Sequence, residues 1–131
     1  MTMSQLDDPG MTRYEAFDRE WALAEQAALT KDWNLAENHY SRAHILGQPR
    51  IELHLRSHAA LFWLYVGQRR WRNAWGQAFR YVLVVPGTWL QRLPVGNSGL
   101  SNVSAFKPMA VPADLMRFVV DTDPPKQPGQ H

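Results

Sequence analysis

From about residue 13 to residue 84, apolar residues recur at three- and four-residue steps, the spacing of helices buried along one side. Thr12 and Glu15 stand at capping-box spacing ahead of the first stretch, about residues 13–29. Its stripe is Tyr14, Phe17, Trp21, Ala24 and Ala28. Glu20 lies beside it, on the line Ala16, Glu20, Leu23 and Ala27, which places a carboxylate at the edge of the core or inside it. Asp32 can cap a second helix, about residues 33–46, with Ala36, Tyr40, Ala43 and Leu46 facing inward. Gly47 is expected to end it in the left-handed conformation, and Pro49 to open the first turn of a third helix, about residues 49–66. Ile51, Leu55, Ala59, Phe62 and Val66 form the main stripe there, flanked by His54, His58, Leu61 and Tyr65. Gly67 closes it. A fourth helix is expected over about residues 70–84, with Trp71, Trp75, Ala78, Phe79 and Val82 on one side.

The four stretches read as two copies of one unit. KDWNLA at 31–36 is similar to RRWRNA at 69–74, and Trp33 and Trp71 are 38 residues apart. Each copy carries one helix into a Trp-marked turn and a second helix. The arrangement resembles the tetratricopeptide repeat, whose period is about 34 residues. With only two units, it reads as repeat-like hairpins, closed as a bundle rather than as an open solenoid. The pattern changes over residues 86–112, where prolines and glycines cluster and no period is sustained. Val103, Phe106 and Met109 could anchor that segment to the helices, and Pro112 and Asp114 can start a short last helix over residues 113–120. The expected architecture is therefore all-α: a flexible lead at 1–11, a single helical domain at 12–120 with an ordered segment at 86–112, and a disordered tail at 121–131.

At 131 residues, the chain is one domain's worth and long enough to bury a core. Its formal net charge of +2 is too small to imply a nucleic-acid partner. It has no cysteine, so disulfides, thiolate metal sites and a cysteine nucleophile are excluded. A metal would have to be held by His, Asp, Glu, Met or backbone oxygen. No apolar run approaches the roughly 18–20 residues a membrane span needs, and the polar, acidic start does not read as a secretory signal. A cytoplasmic location is the expectation.

Four motifs carry a family resemblance: RAHILGQ at 42–48, the pair His54 and His58, Gly76-Gln77, and GNSGLSNVSAFKPM at 96–109. Over about residues 13–119 the chain resembles a family of small bacterial proteins known as domain of unknown function 3703. The resemblance implies a bacterial, cytoplasmic, stand-alone domain and transfers no catalytic residue. Leu100 stands where that family commonly has glycine, which narrows the backbone freedom of the loop.

The candidate chemistry is a polar cluster. In an antiparallel bundle with turns near residues 32 and 48, Glu20 and His44 fall at similar heights, as do His44 and His54. His54 and His58 are one turn apart on one face. Glu20, His44, His54 and His58 can therefore converge from three helices, a donor set that suits zinc, ferrous iron or copper. The leading expectation is a metal-binding protein, with a role in metal handling rather than turnover. The alternative is a protein-interaction module using a repeat groove and the segment 94–109, in which these groups only hydrogen-bond within the core. An enzyme is the less favoured third class, since no acid–base or nucleophile set stands out. His39, beside Tyr40, is a secondary candidate. Arg69, Arg70, Arg72 and Arg80 read as a solvated basic face, and GNSG at 96–99 as a weak anion-binding turn. Ser98, Ser101 and Ser104 sit in no nucleophile elbow.

Overall fold

A computed structural model describes residues 8–89 and 111–120, with side chains through residue 83 and from 111 to 119. Five helices follow one another: α1 (Arg13–Leu29), α2 (Trp33–Gly47), α3 (Ile51–Gly67), α4 (Trp71–Trp89) and α5 (Met116–Val120). The described residues contain no strand. α1 packs on α2 and α3 on α4, and the two hairpins join where α2 meets α3. No helix among the described residues is long and apolar enough to cross a membrane. The expected segment 94–109 with its anchors, the serines within it, the tail with His131 and most of the lead lie outside the described residues.

Local chemistry sets the helix starts. The Thr12 hydroxyl accepts from Glu15 N–H while the Glu15 carboxylate accepts from Thr12 N–H, so the capping box closes in both directions. Asp32 accepts from Leu35 N–H and caps α2. The turns within the two hairpins, α1 to α2 and α3 to α4, use the same backbone device. Lys31 and Arg69 adopt left-handed φ values of 59° and 58°. Around them, the N–H groups of Thr30, Lys31 and Asp32 reach the carbonyls of Gln26, Ala28 and Ala27. Those of Gln68, Arg69 and Arg70 reach Leu64, Val66 and Tyr65. Every donor and acceptor is displaced by the 38 residues that separate Trp33 from Trp71. The internal repeat is thus present atom for atom in the turns, although the capping Asp32 is replaced by Arg70.

Two expectations about glycine and proline are corrected. Gly47 stays in the helical conformation within α2, and the next residue, Gln48, has φ −52°. Glycine is needed there for close approach: a Cβ would lie 3.0 Å from both Leu53 Cβ and Phe17 Cε2. Pro49 falls in the turn before α3 rather than inside it, and α4 continues past Pro86 and Gly87 to Trp89. A proline near a helix end forgoes one ladder bond without forbidding the turn around it.

Two apolar clusters form the core. One unites Ala24, Ala27, Ala36, Tyr40, Leu61, Leu64, Tyr65 and Ala74 from all four long helices. The other packs Leu115 and Phe118 of the C-terminal segment against Ala16, Phe17, Ala43, Ile45 and Leu46. Arg13 ties this end together, donating to the carbonyls of Leu46 at 2.6 Å, Ile45 at 3.1 Å and Phe118 at 3.4 Å. Its charge satisfies the last carbonyls of α2. α4 is turned against expectation. Trp71, Trp75, Phe79 and Val82 are 57–76% exposed, while Ala74, Gln77 and Arg80 face inward. The reason is that α3 presents buried polar groups to α4, and only the Gln77 face answers them.

Candidate metal centre

His44 comes from α2, and His54 and His58 from successive turns of α3; each is at most 3% exposed. The tight reversal between Gly47 and Ile51 sets α2 against α3 so that the three imidazoles point at one spot. Their Nε2 atoms form a triangle: His44–His54 at 2.8 Å, His44–His58 at 3.1 Å and His54–His58 at 3.2 Å. The ring centroids are 4.6, 4.6 and 5.0 Å apart.

The protonation pattern follows from the neighbours. His58 Nδ1 donates to Gln77 Oε1 at 2.7 Å, so its proton resides there and its Nε2 lone pair faces the triangle. Gln77 is fully buried on α4. Burial pushes the His54 imidazole down to about 3, with the neighbouring His58 adding to the effect. Burial likewise pushes His58 down to about 4; the Gln77 hydrogen bond opposes this and the Arg80 charge reinforces it. Both rings are neutral at pH 7 and offer lone pairs. His54 Nδ1 is buried without a hydrogen-bond partner among the described residues.

Three buried histidines are thus placed where they could hold a metal ion. Zinc–imidazole bonds of about 2.0–2.1 Å in tetrahedral geometry put ligand nitrogens about 3.3–3.4 Å apart. The triangle needs to open by only a few tenths of an ångström to match. A hydrogen bond from the far nitrogen of a ligand histidine, as from His58 to Gln77, is the usual way such a ring is oriented.

Glu20, expected as the fourth member, is not with them. It is 2% exposed, and its carboxylate accepts from Arg42 Nε at 2.9 Å and lies 2.5 Å from His39 Nδ1. Arg42 continues to Asp114, which fastens the segment before α5. The geometric cause is the position of the turn. Lys31 is its centre, so the residue level with Glu20 is Arg42, as far beyond Lys31 as Glu20 is before it. His44 is two positions further on and, at about 100° per residue, points to another side of α2. His39, a secondary candidate by sequence, belongs to the Glu20 network.

Two residues of the site were not singled out from the sequence as parts of it. Gln77 stood only within a family motif, and Arg80 was placed on a solvated face, yet it is 7% exposed. The repeat held the signal. Shifting Glu20, His39 and Arg42 by 38 positions gives His58, Gln77 and Arg80. The Glu20–His39 contact of the first hairpin recurs as the His58–Gln77 hydrogen bond of the second. Imidazole stands where the first hairpin has a carboxylate, and His44 and His54 meet it there.

No curated protein and no solved structure matches the chain. The family described as "Protein of unknown function (DUF3703)" matches residues 11–119. Most of the chain, including every residue of the histidine cluster, lies within that match, and the chain belongs to this family.

Proposed function

We propose that this protein binds one divalent transition metal, zinc being the best fit, through the Nε2 atoms of His44, His54 and His58. The observation that carries the reading is the convergence of three buried imidazole nitrogens from two helices within 2.8–3.2 Å of one another, away from water. Three nitrogen donors and no thiolate suit zinc or copper(II), and ferrous iron to a lesser degree. Three protein ligands leave a fourth position for an exogenous group. The role assigned is metal binding in the cytoplasm, in metal handling rather than turnover, since no nucleophile or acid–base pair accompanies the site among the described residues.

The test is elemental analysis of purified protein followed by zinc, copper and iron titration of wild type and of a His54→Ala, His58→Ala double variant. One equivalent bound by the wild type and none by a variant that still shows a helical spectrum is the expected result. A second reading, a protein-interaction module, draws support from the exposed α4 stripe of Trp71, Trp75, Phe79 and Val82. On that reading the wild type takes up no metal, and the double variant loses only melting temperature.

A further inference from the structure

Arg80 is buried, and its Nη1 has no hydrogen-bond partner among the described residues. It lies one helical turn beyond Gln77 on the same face of α4, and Gln77 is bonded to His58. The guanidinium therefore lies on the side of α4 that meets the histidine cluster. An orphaned buried guanidinium N–H is costly and calls for an acceptor.

Two further observations say what kind of acceptor. The first is the repeat. Arg42, the counterpart of Arg80 in the first hairpin, grips two carboxylates, Glu20 through Nε and Asp114 through its terminal nitrogens. The position equivalent to Glu20 beside Arg80 is His58, so the second hairpin keeps the arginine and has lost the acid. The second is charge. From residue 53 to residue 113 the chain contains no Asp or Glu, while it carries Arg56, Arg69, Arg70, Arg72, Arg80, Arg92 and Lys107. Among the described residues the histidine cluster contains no carboxylate, and Glu20 is taken by Arg42 and His39. A divalent ion on three neutral imidazoles beside a buried guanidinium would leave about three uncompensated positive charges away from water, which a protein interior does not tolerate.

We propose that the metal and Arg80 together bind a small carboxylate-type anion, carbonate or a short organic acid. One oxygen would take the fourth metal position and the other would accept from Arg80 Nη1, replacing the carboxylate that Arg42 holds in the first hairpin. The planar two-oxygen group matches the fork of an arginine. This assignment rests on the metal-binding reading and deepens it.

The experiment uses the full chain loaded with cobalt(II), whose visible spectrum reports the fourth ligand. Acetate, bicarbonate and phosphate are titrated separately at constant ionic strength into wild type, Arg80→Gln and Arg80→Lys. The expected result is a saturable spectral change of the cobalt-saturated protein with acetate or bicarbonate, at a dissociation constant raised about tenfold or more in Arg80→Gln. Should Arg80→Gln fail to fold, Arg80→Lys, which keeps the charge and loses the planar fork, carries the comparison with a weaker but measurable loss. Cobalt bound with no response to any anion, or with the same constant in the variants, overturns the anion site and leaves the metal reading standing. A response to phosphate alone overturns the carboxylate assignment. Failure of the wild type to bind cobalt overturns both.

Discussion

At the scale of single residues, the site is defined by where protons sit. Gln77 Oε1 can only accept, so it holds the His58 proton on Nδ1 and frees Nε2. Replacing it with leucine removes that constraint and leaves a buried N–H unpaired. Gln77→Leu is expected to weaken zinc binding by about 10- to 100-fold, measured by competition against a chromophoric chelator. The same burial that frees the lone pairs makes the metal-free protein sensitive to acid. His54 and His58 titrate at about 3 and about 4 in the fold against 6.5 for an ordinary imidazole. Between those values the unfolded chain binds more protons than the native one, so stability is whole above pH 6.5 and declines as pH falls. Each histidine contributes a slope of about 1.4 kcal/mol per pH unit, ending near pH 4 for His58 and near pH 3 for His54. Urea midpoints of chelator-treated protein at pH 7 and pH 5 will show the loss, and His58→Asn will flatten it.

At the scale of elements, the two hairpins are one device used twice. Their turns share a left-handed residue, Lys31 or Arg69, and the same three backbone hydrogen bonds. A side chain in that conformation is strained, and glycine is not. Lys31→Gly and Arg69→Gly are each expected to stabilise the protein by about 0.5–1 kcal/mol. Denaturant midpoints of both single variants and the double variant check this. The repeat also sets the two polar networks at equivalent positions. The first hairpin keeps a carboxylate, a histidine and an arginine bound to one another; the second has exchanged the acid for His58 and the histidine for Gln77. A structural ion-pair network and the histidine cluster thus occupy equivalent places.

At the scale of the whole molecule, a metal on His44, His54 and His58 would join α2 to α3, and hence one hairpin to the other. Binding to the native state alone adds about 4 kcal/mol of stability when free metal exceeds the dissociation constant a thousandfold. Zinc is therefore expected to raise the melting temperature of the wild type and leave the His54→Ala, His58→Ala variant unmoved, with chelator reversing the shift. Much of this molecule was legible in the chain itself. Thr12 with Glu15 and Asp32 marked helix starts, alanine and aromatic spacing marked the helices, and the Trp33–Trp71 interval marked the repeat. These features depend on residues within about one turn of each other, or on simple recurrence, and a sequence displays both. The gathering of His44, His54 and His58 could be inferred because a short reversal at 47–50 leaves little freedom in how α2 meets α3. Tertiary packing alone decided that Glu20 belongs with Arg42 and that α4 turns Gln77 and Arg80 inward rather than its tryptophans. The physical reason is rotational: a shift of one residue in the centre of a turn moves the level partner by two residues, about 200° around the helix. Only the simultaneous pairing of buried polar groups from several helices selects which of those faces closes on the core.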